Sequence, residues 1–194
     1  GNVHLILADD SSLTVNGYND AGINVSENNC LTIYAQSKED KIGSLNATGD
    51  NSAAGIGGNN GNCGNITING GIVTATSATY GSGIGGGYEG NSRDITINGG
   101  TVTATGGAWG AGIGGGNRGS GGNITINGGT VTAKGVECGA GIGGGWHGNG
   151  GTIIINNYPT VIATGNKGGA DIGNGFDGNG TTIIKHDTTG GTDL

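Results

Sequence analysis

The isoleucine of one glycine-rich phrase returns five times along the chain. It stands at Ile56, Ile84, Ile113, Ile142 and Ile172, in steps of 28, 29, 29 and 30 residues. The three middle copies read GSGIGGG, GAGIGGG and GAGIGGG. Two other phrases keep the same beat. ITINGG opens at Ile66, Ile95 and Ile124 and decays to IIINN at Ile153; VTA opens at Val73, Val102 and Val131, with VIA at Val161. A fixed period of this length marks one supersecondary unit stacked on copies of itself. Such a chain buries its apolar side chains between and within successive units rather than around one globular centre.

Each unit contains three short pieces that alternate apolar and polar residues or sit between glycines. Ile66-Thr67-Ile68 and Val73-Thr74-Ala75 have the period of a strand with one buried face. The third piece is the isoleucine of GIGGG. The NG and GG dipeptides between pieces are turn chemistry, because glycine reaches positive φ without steric cost. Three strands per unit and no helical pattern predict an all-β chain, a parallel β-helix solenoid of about six coils. A right hand is expected, by the rule for parallel crossovers, though the repeat itself does not fix it. With 50 glycines in 194 residues, 32% hydrophobic residues and 4% aromatics, only a narrow aliphatic core is available, and the regular glycine phase argues against the disorder this composition otherwise suggests. One domain covers 1–194: degenerate N-terminal coils over 1–54, regular repeats over 55–182, and a last partial coil with a polar tail over 183–194. The first two coils are read as Val3–Leu7, Leu13–Val15, Ile23–Val25, and Leu31–Tyr34, Leu45–Ala47, Ile56, with a longer loop at Ser37–Lys41.

Net charge is −7 with seven basic residues, so a wide nucleic-acid surface is not expected. No run of about 20 apolar residues is present, so no membrane insertion is expected. The chain starts at Gly1 with a strand pattern, which suggests a piece of a larger protein. Cys30, Cys63 and Cys138 fall at unrelated phases, which favours free thiols over a disulfide framework; a Cys30–Cys63 bridge between neighbouring coils is the alternative. No cofactor and no metal are expected. Asp94, Asp171, Asp177 and Asp187 are scattered among walls, without the clustered carboxylates that β-helical hydrolases and lyases need, so the chain is not expected to be an enzyme.

The stretch from Gly110 to Ala133, GAGIGGGNRGSGGNITINGGTVTA, resembles glycine-rich repeats of large surface proteins from gut and anaerobic bacteria. LTIYAQSKEDKIGSLNATGDNSAAGIGG, from Leu31 to Gly58, resembles the non-identical coil that precedes such arrays. The resemblance spans nearly the whole chain. It implies a β-helix displayed outside the cell, at the bacterial surface, with carbohydrate-binding or adhesive roles. It carries over no catalytic residue.

Stacking turns residues of equal phase into columns. Four residues before each repeated isoleucine stand Tyr80, Trp109, Cys138 and Gly168; four residues after stand Asn60, Tyr88, Asn117, Trp146 and Phe176. These outward columns hold most of the large aromatics and are expected to flank a glycine wall. Exposed Tyr and Trp offer sugar rings an apolar face at low entropy cost; the bland reading is coil-edge packing. A third column, Glu89, Arg118, His147 and Asp177, alternates in sign, so Glu89–Arg118 and His147–Asp177 are expected to pair between coils. The candidate glycan site is therefore Tyr80, Trp109, Tyr88, Trp146 and Phe176, with Arg118 and His147 as hydrogen-bonding groups. The partner would be a polysaccharide or host glycan. Two other functions stay open: a passive stalk or spacer, and ice binding through outward threonines such as Thr74, Thr103, Thr132, Thr67, Thr96 and Thr125, a lattice interrupted by Lys134 and Ile162.

Overall fold

The computed structural model describes residues 1–37 and 41–186. The chain winds through six full coils of three strands. The first coil holds β1 (Asn2–Leu7), β2 (Ser12–Asn16) and β3 (Ile23–Asn24), and the second β4 (Cys30–Ala35), β5 (Ser44–Thr48) and β6 (Ile56–Gly57). The third holds β7 (Asn65–Ile68), β8 (Ile72–Thr76) and β9 (Ile84–Gly85), and the fourth β10 (Asp94–Ile97), β11 (Thr101–Thr105) and β12 (Ile113–Gly114). The fifth holds β13 (Asn123–Ile126), β14 (Thr130–Lys134) and β15 (Ile142–Gly143), and the sixth β16 (Gly151–Asn156), β17 (Thr160–Thr164) and β18 (Ile172–Gly173). β19 (Thr181–His186) opens a seventh. Equivalent strands pair in parallel to make three walls, of seven, six and six strands. The expected parallel β-solenoid is thus the observed one. The expected polar tail beyond His186 and most of the Ser37–Lys41 loop lie outside the described residues.

The register shows why the period works. Ile66, Ile95, Ile124 and Ile153 stand opposite one another on the first wall. Val73, Val102, Val131 and Val161 do so on the second, and Ile56, Ile84, Ile113, Ile142 and Ile172 on the third. Ile68, Ile97 and Ile126, with Ala75, Ala104 and Ala133, complete the core. A slip of one residue would turn every isoleucine outward. Full burial of one such side chain contributes roughly 1.5–3 kcal/mol. The ladders weaken at the ends: Val161 and Ile172 are half-buried, while Val3 and Leu13 in the first coil are 59% and 39% exposed.

On the third wall the strands are two residues long, and backbone lies on backbone. Gly85 and Gly114 both have φ of 132°, a conformation L side chains rarely adopt. A Cβ on Gly85 would overlap the carbonyl of Gly114, and one on Gly114 the carbonyl of Gly143. The glycines are therefore the condition for coils to approach here. The wall is buried, not open: Gly85, Gly86 and Gly87, like their counterparts in the next two coils, are inaccessible. The glycine wall that the aromatic columns were expected to flank therefore offers no open surface to a ligand in these coils.

Replacing Ile113 by Ala should destabilise the fold by about 2–5 kcal/mol, and Ile113→Asp should abolish the cooperative transition. Urea denaturation followed by far-UV circular dichroism checks both.

Candidate functional site

The residues around each third-wall strand form a loop that folds back on itself. Two residues before the isoleucine, an N–H donates to the carbonyl two residues after it: Ser82 to Gly86, Ala111 to Gly115 and Ala140 to Gly144, each at 2.9 Å. This closure brings the two aromatic columns together. The N–H four residues after one isoleucine donates to the carbonyl four residues before the isoleucine of the preceding coil. Asn117 thus bonds to Tyr80 at 2.7 Å, Trp146 to Trp109 at 2.8 Å and Phe176 to Cys138 at 2.8 Å. The columns interleave along one corner instead of flanking a wall from two sides.

The rings consequently meet. Tyr88 packs edge-on against Tyr80, with centroids 5.1 Å apart at 69°. Tyr80 stacks on Trp109 at 4.9 Å and 25°; Trp109 faces Trp146 at 6.2 Å and 34°; Trp146 lies 4.1 Å from the His147 ring. Four aromatic rings and an imidazole make a half-exposed ridge that runs along the helix axis. Phe176, 39% exposed, stands one coil beyond, where Gly168 leaves room for its ring. Each aromatic pair contributes roughly 0.5–1.5 kcal/mol beyond burial. The ridge therefore binds coils to one another, and its outer surface is made mainly of ring edges, since neighbouring rings cover the faces.

Asn117, expected outward, is a correction. It is 3% exposed, the short side chain between Tyr88 and Trp146 in its column, and its Oδ1 is buried with no hydrogen-bond partner among the described residues. A buried acceptor left unsatisfied costs about 1–3 kcal/mol.

The charge column behaves as expected. Arg118 Nη1 lies 3.1 Å from Glu89 Oε1, and His147 Nδ1 lies 3.8 Å from Asp177 Oδ2. Both pairs bridge adjacent coils and are well exposed, so each contributes at most about 1 kcal/mol. The sequence did not reveal their backbone. Glu89, Arg118, His147 and Asp177 all have positive φ, between 55° and 62°. They sit at the third position of four-residue turns such as Gly87–Gly90, closed by a 2.9 Å bond from the Gly90 N–H to the Gly87 carbonyl. The turn projects these side chains beside the aromatic ridge.

The threonine columns stand on the outer faces of the first two walls, in register: Thr67 with Thr96 and Thr125, and Thr74 with Thr103 and Thr132. Lys134 and Ile162 interrupt the second wall as expected. Ile72, paired with Thr101 and 42% exposed, is a further break.

An asparagine ladder was missed. Asn98 Nδ2 donates to Asn69 Oδ1 at 2.8 Å, Asn127 to Asn98 at 2.7 Å and Asn156 to Asn127 at 2.8 Å. Its signal was present in the constant phase of the Asn in ITINGG. Elsewhere Asn62 and Asn91 accept backbone N–H groups from the following coil, at 2.8 and 2.7 Å.

The cysteines are free; Cys30 and Cys138 are half-buried, and burial pushes the Cys63 thiol up to about 11. Among the described residues no group of three His, Cys, Asp or Glu is placed to hold a metal, and no helix is long and apolar enough to cross a membrane.

A family model described as a beta helix repeat matches three times, at residues 66–88, 95–117 and 124–146. The chain carries beta helix repeats. Each match runs from a buried first-wall isoleucine to the residue four beyond the third-wall isoleucine, so it ends on Tyr88, Asn117 and Trp146 in turn. No curated protein and no solved structure matches the chain.

Two thiols should react with Ellman's reagent at pH 8 in the folded protein, Cys30 and Cys138. Cys63 should react only in denaturant, because a buried thiol with a raised pKa carries little thiolate. Trp109→Ala, which removes stacking with two rings, should lower stability by about 1–3 kcal/mol in the same urea titration.

Proposed function

We propose that the chain is a non-catalytic, extracellular module of a bacterial surface protein, a short rigid solenoid that makes weak contacts with polysaccharide along its aromatic ridge. The observation that carries this reading is the ridge itself. Tyr88, Tyr80, Trp109 and Trp146, four of the chain's eight Tyr, Trp and Phe residues, meet in one continuous row on one corner of the exterior. Arg118 and His147 are held beside it by turns at positive φ, and both are exposed. Sugar C–H groups pack on such edges, while the charged groups take hydroxyl hydrogen bonds. With ring faces occupied by neighbouring rings, affinity is modest, roughly high micromolar to millimolar, and useful through repetition on a surface. The resemblance to surface repeats of gut and anaerobic bacteria supports the location.

A second reading, a passive stalk, is favoured by one specific observation. The rings stack coil on coil, so the ridge is explained by cohesion alone. Six coils at about 4.8 Å each make a rod roughly 30 Å long.

Affinity electrophoresis through gels containing soluble glucans, mannans or mucin glycans separates the readings. Polysaccharide binding predicts retardation that Arg118→Ala and His147→Ala each weaken about two- to tenfold, while stability falls by no more than about 1–2 kcal/mol and the chain stays folded in the gel. Trp146→Ala should abolish it while the folded fraction, measured separately, stays high. A stalk predicts no retardation in any gel. Ice shaping that survives those variants but is lost in Thr103→Tyr and Thr132→Tyr would contradict both.

A further inference from the structure

Eight Asn-Gly pairs occur in the chain, beginning at Asn16, Asn60, Asn69, Asn98, Asn127, Asn149, Asn174 and Asn179. Such a pair can lose ammonia without a catalyst. The backbone nitrogen of the glycine attacks Cγ of the asparagine, and glycine, with no Cβ, hinders that approach least. The fold treats the eight pairs differently. In three the attacking N–H is held: Gly17 donates to the Thr48 carbonyl at 2.8 Å, Gly150 to Asn174 Oδ1 at 2.8 Å and Gly175 to the Gly148 carbonyl at 3.2 Å. In three more, Asn69, Asn98 and Asn127, the side chain is held by the amide ladder. The hold is firmest at Asn98 and Asn127, where Nδ2 donates and Oδ1 accepts. Asn60–Gly61 and Asn179–Gly180 have neither restraint among the described residues. Asn179 belongs to the last described coil, and chain ends fray. Asn60 lies between two complete coils, on a different corner from the 36–43 connection.

The turn at Asn60 is loose in one place only. On one side the Asn60 N–H donates to the Ser52 carbonyl at 3.3 Å, and on the other the Gly61 carbonyl accepts from the Gly87 N–H at 2.9 Å. The peptide group between them makes no backbone hydrogen bond among the described residues, at its carbonyl or at its N–H. Asn60 is exposed, its φ is 49°, and the space beside Gly61 is open, with only the Asn59 carbonyl at 4.0 Å from an added Cβ. Turning this peptide to bring the Gly61 nitrogen onto Cγ therefore breaks no hydrogen bond. We propose that Asn60 is a site of spontaneous deamidation, and that the amide ladder shields Asn98 and Asn127 from the same reaction. The Gly61 nitrogen forms a bond to Cγ and gives up its proton; the side-chain nitrogen leaves as ammonia, and a cyclic imide remains. Water then opens the imide at either carbonyl, giving aspartate or isoaspartate. The product places a new carboxylate on the cavity of about 310 Å³ that Asn60 shares with Asp50. It stands one coil before Tyr88, at the head of the aromatic ridge. In the ladder the same change would remove the donor that each amide offers its neighbour. This chemistry is independent of glycan binding.

The test holds the folded chain in warm, mildly alkaline buffer and follows each Asn-Gly pair by peptide mass spectrometry, which reads the replacement of the amide by a carboxyl group. Asn60 should convert roughly ten- to a hundredfold faster than Asn98 and Asn127, the factor expected when two amide hydrogen bonds must open first. In denaturant the difference should vanish, because all three pairs then share the Asn-Gly sequence and no fold. Asn127→Ala, just beyond β13, removes the bond to Asn98 Oδ1. It should raise the Asn98 rate about two- to tenfold and leave the Asn60 rate unchanged. Equal rates at Asn60 and Asn98 in the folded chain would overturn the proposal. So would a rank order that survives in denaturant, since neighbouring sequence rather than structure would then set it, or an Asn98 rate unmoved by Asn127→Ala.

Discussion

Everything in this solenoid depends on backbone meeting backbone along the third wall. There each coil from the second on has only an isoleucine and a glycine in strand conformation, and the chain must reverse within a few residues. Glycine at positive φ permits both the reversal and the close approach of the next coil. Once the third wall closes, the first two walls fall into register, and the isoleucine, valine and alanine ladders fill the narrow interior. The aliphatic core supplies the favourable free energy. The glycines decide that it can be reached.

The same closure builds the surface. Because the residue four beyond each isoleucine bonds to the residue four before the previous one, side chains from two phases share a corner. Large residues there stack into the ridge, a small one is buried, and the next residue is turned outward at positive φ. The ridge is thus a consequence of coil geometry first. Any contact with glycans uses what that geometry leaves exposed, chiefly ring edges and the flanking Arg118 and His147.

The fold was legible because its information is periodic. Ile66, Ile95 and Ile124 could be assigned to one ladder from spacing alone, and the degenerate first coils followed from the order of their apolar pieces. The charge pairs Glu89–Arg118 and His147–Asp177 were legible for the same reason, since equal phase means adjacency. The site was less so. Counting along the chain placed Tyr80 and Tyr88 on opposite sides of a wall, whereas they touch at 5.1 Å. Phase says which residues share a column. It does not say which two columns a hydrogen-bonded loop brings together. Asn117 was misplaced for that reason.

The most direct test of this account is Gly114→Ala, in the central coil and remote from both ends of the solenoid. A methyl group there adds no polar atom and no large volume, yet it must overlap the Gly143 carbonyl and hold φ at 132°. Urea denaturation should show a loss of at least about 2 kcal/mol, with hydrogen exchange accelerated first in the coils on either side. An unchanged unfolding midpoint would contradict the claim that glycine-enabled backbone contact is what the structure rests on.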